Sequence, residues 1–373
     1  MRLDGIQILR AAAALMVVLH HLRHELAGLG LAADVLANLP GWAGVDVFFA
    51  ISGFIIVHAT GPAYDVPGGR RRFLAHRVAR VVPLYWLVTL AYLAVALALP
   101  RSLGDAGAAA SDPAYLAASF LFWPAARPDG SLQPLYGLGW TLNYEMLFYA
   151  VFALFLGRGR RATVVWTAAV LAGLVLVGRL AAPEAAPLRF WSDPIVIEFL
   201  FGAAIGLARE AGLRFAPPAR LALAAAGIVG LVLLGGDEVA GFARPLRAGL
   251  PAACLVAALA LAGPSPRPAA WIRPFSRLGD ASYALYLVHP FCLRALREAL
   301  VRTGLAVPLG AWGVGALMVA ASVAAALLTY RLVERPATRA LRGRLDPGGA
   351  GGCRPSNFVR GREASVFRGP EPH

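Results

Sequence analysis

Arg10 and His21 are the first pair along the chain whose types and spacing could do chemistry. They stand in "LRAAAALMVVLHHLRHE", residues 9–25, a stretch otherwise built for lipid. A helix turns about 100° and rises about 1.5 Å per residue, so eleven residues complete three turns plus roughly 20°. The two side chains therefore share a face, about 16 Å apart along the axis. His20 lies about 80° off that line, and His24 falls where the stretch meets water. An imidazole facing a cavity can serve as a general base, and a guanidinium on the same face can steer an anion. Ionisable groups inside a span usually face a bundle interior and mark function. For His20 and His24, helix capping or contact with lipid headgroups is the plainer reading.

Other polar groups interrupt later apolar runs. Asp46 stands near the outer end of "GWAGVDVFFAISGFIIVHAT", residues 41–60, with Ser52 and Gly53 about 9 Å deeper. A carboxylate there needs a partner, and a Ser-Gly pair allows close approach by a neighbouring helix or a ligand. Glu145 in "GLGWTLNYEMLFYAVFAL", residues 137–154, falls about 9 Å below the same surface, near the depth of His21. Depth alone suggests a His21–Glu145 pairing. "GGRRRFLAHRVARVVPLYW", residues 68–86, sets Arg77 and Arg80 three apart on one face, with Arg70, Arg71 and Arg72 nearby. Guanidinium groups grip phosphate oxygens through two donors, which suits a polyphosphate ligand; ordinary topology charge is the alternative. Tyr85 and Trp86 could be interfacial aromatics. "LGDASYALYLVHPF", residues 278–291, sets Tyr286 and His289 on one face, for structural hydrogen bonding or for substrate contact.

The elements that must hold these groups are membrane spans. The chain has 373 residues, of which 58% are hydrophobic and only 15% charged, and the mean hydropathy is +0.63. A soluble domain of this length needs more polar surface. Ten apolar runs are expected to cross: 6–24, 42–60, 81–99, 139–157, 163–180, 194–208, 220–235, 246–263, 278–298 and 307–331. The run "YLAASFLFWP" within 100–138 is too short to cross and reads as re-entrant or interfacial. The formal charge of +14 comes with 35 basic residues, all arginine. They cluster between apolar runs rather than along one stripe, which argues against nucleic-acid binding. With the N-terminus cytosolic, the inner loops carry thirteen arginines and the outer loops five, so both termini are expected to be cytosolic. Residues 1–342 then form one all-α polytopic bundle, and the Gly-, Pro- and Arg-rich stretch 343–373 reads as a disordered cytosolic tail. Cys254, Cys292 and Cys353 have no metal or disulfide spacing, and no metal ion is expected.

Taken in order, several segments resemble the membrane acyltransferase-3 family, integral-membrane O-acyltransferases of bacterial surface polysaccharides. They are Arg10 and His21 with ten residues between, "GVDVFFAISGF" at 44–54, "FLAHRVARVVPLYW" at 73–86, "WTLNYEMLFY" at 140–149, "SYALYLVHP" at 282–290 and "VERP" at 333–336. The resemblance covers about residues 1–340. It implies a location in the bacterial inner membrane and an acyl-CoA donor, usually acetyl-CoA, approached from the cytosol. It further implies an acceptor hydroxyl on a lipid-linked or exported glycan, with His21 as catalytic histidine and Arg10 as its essential partner. Asp46 or Glu145 is then expected to orient the imidazole. Ser52, Gly53, Arg72, Arg77, Arg80 and Tyr85 become candidates for donor binding, and Trp140, Tyr149, Tyr286 and His289 for acceptor binding. Two departures stand out: Asn143 and Tyr144 replace a common serine, and the periplasmic hydrolase-like domain of longer relatives is not expected. Intramembrane His and Glu residues also suit a proton-coupled transporter or glycan flippase, or a scaffold whose polar groups only join helices.

Overall fold

The computed structural model describes residues 3–31, 36, 38–98, 107, 109–234, 238–263 and 272–346. Long apolar runs with few helix breakers fold as helices, and no strand occurs among the described residues. In chain order the helices are α1 (Asp4–Gly28), α2 (Gly44–Thr60), α3 (Gly69–Ala98), α4 (Pro113–Phe120), α5 (Trp140–Phe155), α6 (Arg160–Ala181) and α7 (Ala186–Trp191). There follow α8 (Ile197–Glu210), α9 (Pro217–Val232), α10 (Leu250–Ala260), α11 (Arg273–Asp280), α12 (Ser282–Thr303), α13 (Ala306–Thr329) and α14 (Arg335–Leu345). By length and composition, six helical stretches among the described residues could cross a membrane. Helices α8 and α10 overlap expected spans but are shorter, and α9 has the expected length but begins three residues earlier.

The centre of the bundle is α2, preceded by a 3-10 turn at Gly41–Ala43. In that turn-and-helix stretch 72% of the apolar window is buried, more than in any of the other five. It packs against α1, α8 and α10. The α2–α8 contact depends on missing side chains. A Cβ on Gly53 would strike the carbonyl of Phe199, and a Cβ on Gly202 would strike that of Ala50. Small residues at a crossing let two backbones approach, the usual way membrane helices associate. Stacked rings then tie in α5: Phe49 and Phe148 lie 4.5 and 4.7 Å from the Phe199 ring. Helix α1 is held against α2 and is flanked by α11 and α12.

Several boundaries differ from expectation. Helix α3 begins at Gly69 rather than near 81, so the arginines from Arg70 to Arg80 are helical. Pro336 does not end the helical path. A π-turn at Tyr330–Glu334 widens the ladder, so Pro336 sits in the first turn of α14, where its ring meets no obstructing carbonyl. The helix reaches Leu345, past the expected start of the tail at 343; residues 347–373 lie outside the described residues. Within 100–138, α4 is capped by Asp112, whose Oδ1 accepts from Ala114 N at 2.8 Å. An irregular segment then runs to Tyr136, and Arg127 braces it through the Pro134 and Leu135 carbonyls. Non-helical backbone inside a membrane protein survives where protein covers it or a cavity lies beside it, and this segment walls a cavity.

Candidate active site

Among the described residues, two cavities hold polar candidates. The larger, about 980 Å³, is lined by His20, His21, Trp140, Arg244 and Arg294, among others. The smaller, about 120 Å³, is lined by Arg10, Ser52, Arg77, Arg80, Glu145 and Tyr149, among others. Val45 and Tyr286 line both, so the two spaces meet at those side chains. Helix α1 runs past both, as the eleven-residue spacing requires: Arg10 faces one space and His21 the other. His20 lines the larger cavity beside His21, which the helical-wheel reading did not expect.

The tautomer of His21 follows from its neighbours. Its Nδ1 is 2.9 Å from the carbonyl oxygen of Val17, which can only accept, so Nδ1 carries the hydrogen. The same Nδ1 lies 3.2 Å from Nε2 of His289. His289 in turn donates from Nδ1 to the Leu285 carbonyl at 3.0 Å, which leaves its Nε2 as an acceptor. The His21 Nδ1–H is therefore shared between a carbonyl and a second imidazole, and its Nε2 keeps the free lone pair. His289 is fully buried and does not line the larger cavity, so it stands behind His21 rather than against an acceptor.

Glu145 and Asp46 do not reach His21, contrary to the pairing expected from depth. Glu145 accepts from Ser52 Oγ at 3.3 Å and from the Tyr149 hydroxyl, inside the smaller cavity. Asp46 is fully buried and takes a two-pronged hydrogen bond from Arg244, Nε to Oδ1 at 2.9 Å and Nη2 to Oδ2 at 3.0 Å. The Arg244 guanidinium also lies over the rings of Trp42 and Trp140, at 5.2 and 6.0 Å. Sequence reasoning missed Arg244, because nothing in an outer loop arginine announces a partner 198 positions away.

The remaining candidates divide. Arg10, Arg77, Arg80 and Ser52 gather in the smaller cavity as one group. Tyr149 joins them there and is not on the side of Trp140, so it does not stand with the acceptor candidates. Tyr286, at the junction, donates to the Leu138 carbonyl at 3.2 Å and lies 3.0 Å from the Thr141 hydroxyl. Arg72 is outside the cavity lining and pairs with Asp346 at 3.0 Å. Gly53 serves the α2–α8 crossing rather than a ligand. Tyr85 is fully buried, donates to the Ser119 carbonyl at 2.9 Å and packs on Phe122. Gly53 and Tyr85 are buried in packing and the exposed Arg72 is held by an ion pair, which spacing along one helix cannot foresee.

The fold and this site define a multi-pass membrane protein with an oriented histidine in one cavity and a set of guanidiniums in an adjoining one. The chain belongs to the membrane acyltransferase-3 family, whose family model, described as an acyltransferase domain, matches residues 3–331. Among its relatives is the exopolysaccharide production protein ExoZ of Rhizobium meliloti (strain 1021), 36% identical over 321 residues. That alignment covers 84% of this chain and 94% of ExoZ. YrhL of Bacillus subtilis (strain 168), by name a candidate peptidoglycan O-acetyltransferase, is 30% identical over 222 residues, covering 55% of this chain and 33% of YrhL. Protein 2 in the picA locus of Rhizobium radiobacter is 36% identical over 196 residues, 49% of this chain and 94% of that protein. No solved structure matches the chain.

Proposed function

We propose that this protein transfers an acyl group, acetyl in the simplest case, from cytosolic acyl-CoA to a hydroxyl of an exported or lipid-linked glycan. The observation that carries the reading is the His21 imidazole, held with Nδ1–H bonded and Nε2 free beside a roomy cavity, next to an arginine-lined one. Family membership and the names of ExoZ and YrhL support the same chemistry.

In this reading the arginines lie toward the cytosol and hold donor phosphates, and the acceptor enters the larger cavity from the opposite side. For ten spans in a bacterial inner membrane, the arginine bias of the loops supports an orientation with both termini inside. His21 Nε2 takes the acceptor hydroxyl proton as the oxygen attacks the thioester carbonyl. The C–S bond then breaks and the proton passes to the departing thiolate. Val17 and His289 keep the imidazole in the tautomer this needs, as the third member of a hydrolase triad does. Trp140, beside the cavity with Arg244, gives a flat apolar face on which a sugar ring can rest.

The test uses the full chain in lipid nanodiscs with acetyl-CoA, a candidate glycan and a thiol reagent that reports released CoA. Wild-type release that depends on the glycan and vanishes in His21→Ala supports the proposal. Protein that folds, binds glycan and never releases CoA favours the transporter reading instead. Loss of folding in His21→Ala, with no catalysis in wild type, favours a scaffold.

A further inference from the structure

Helix α14 lies outside the stretch matched by the family model, yet it packs along α3, which carries Arg77 and Arg80. The two helices run antiparallel at this contact. Glu334, just before α14, faces Arg80 at 3.6 Å, and Asp346, just after it, meets Arg72 at 3.0 Å and His76 at 3.1 Å. Between these two anchors Arg342 stands on α14 alongside the stretch of α3 that carries Arg77 and Arg80. Arg342 is four residues before Asp346 and therefore shares its helix face.

Among the described residues Glu334 is ion-paired with Arg80, which leaves Arg77 and Arg342 with no carboxylate in an ion pair. The buried Nε groups of Arg342 and Arg77 have no hydrogen-bond partner among the described residues. Arg77 instead lies over the rings of Phe73 and Tyr149, at 5.7 and 5.9 Å, which leaves its donors uncommitted to a carboxylate. Two nearby acids are engaged elsewhere: Glu145 accepts from Ser52 and Tyr149, and Asp346 is taken by Arg72 and His76. Glu334 is held to Arg80 and not to Arg77 or Arg342. Buried donors without partners and repelling cations are both relieved by an anion with several oxygens.

We propose that Arg342 completes, with Arg77 and Arg80, a three-guanidinium clamp for the phosphates of the donor, and that the Asp346 ion pairs pin α14 in place to form it. This rests on the acyl-CoA reading above and extends it to a helix outside the matched segment. The ligand chemistry is a polyphosphate. An anionic lipid headgroup offers similar oxygens, and the experiment separates the two.

Arg342→Gln and Asp346→Asn are compared with wild type in nanodiscs of phosphatidylcholine alone and of phosphatidylcholine with phosphatidylglycerol. Steady-state rates are measured with acetyl-CoA and with S-acetyl-pantetheine, which lacks the phosphates, and calorimetry follows the binding of inorganic pyrophosphate. The clamp predicts an acetyl-CoA KM raised about tenfold in Arg342→Gln, the scale of one lost charge-assisted hydrogen bond, with no change in the KM for S-acetyl-pantetheine. Asp346→Asn should shift in the same direction by less, and Arg342→Lys should restore part of the loss. Equal KM values for acetyl-CoA in wild type and Arg342→Gln overturn the clamp while leaving the transferase reading intact. A defect seen only in discs with phosphatidylglycerol assigns Arg342 to lipid and also overturns it. Pyrophosphate binding that depends on Arg342, in a protein that never transfers acetyl, keeps the clamp and sinks the donor assignment.

Discussion

Nε2 of His289 lies 3.2 Å from Nδ1 of His21, so the histidine of α12 supports the histidine of α1 from the side away from the larger cavity. One imidazole can orient another only if its own proton is committed, and the Leu285 carbonyl commits it.

Removing each ring should separate base from support. His21→Ala should reduce acyl transfer by about 10²–10⁴-fold, the range of a general base, with normal protein levels. His289→Ala should lower kcat by less and leave the acetyl-CoA KM unchanged, because the base remains but is no longer held in one tautomer. Steady-state kinetics with an altered kcat–pH profile for His289→Ala would bear this out. A raised KM with unchanged kcat would place His289 at the substrate instead.

Arg77→Ala should raise the apparent KM for acetyl-CoA about tenfold and change kcat little, since its guanidinium lines the smaller cavity and has its Nε unpartnered. Initial rates against donor concentration decide this. An unchanged KM leaves Arg77 as a topology signal only.

Asp46 and Arg244 form a buried pair, and breaking one side strands the other charge. Arg244→Gln or Asp46→Asn alone should destabilise the fold by about 3–5 kcal/mol. The double variant should recover a large part of that loss, because neither Asp46 nor Arg244 is left charged without the other. Thermal unfolding in detergent measures all three, and a double variant no better than the singles contradicts the pairing.

Gly53→Ala should force α2 and α8 apart at the Phe199 carbonyl, at a cost of about 1–3 kcal/mol. The folded fraction should retain its donor KM, since Gly53 faces a helix and not the donor cavity. Thermal inactivation and kinetics on the same sample test both halves.

The sequence by itself determined the class of fold and the use of α1. Apolar runs without partners for their backbone must become helices in lipid, and an eleven-residue spacing on a helix puts Arg10 and His21 on one face at different depths whatever surrounds them. The clustering of Arg77 and Arg80 on one face of α3 was legible for the same reason. The tertiary structure decided which faces meet. Residue spacing fixes a side chain's angle within its own helix, but the rotation of one helix against another depends on contacts such as Gly53 and Gly202, where backbones touch. That rotation turned Glu145 to Ser52 rather than to His21, brought His289 behind the imidazole, and delivered Arg244 to Asp46. Depth along a span can be counted from the chain, whereas azimuth between spans is set only when the bundle packs.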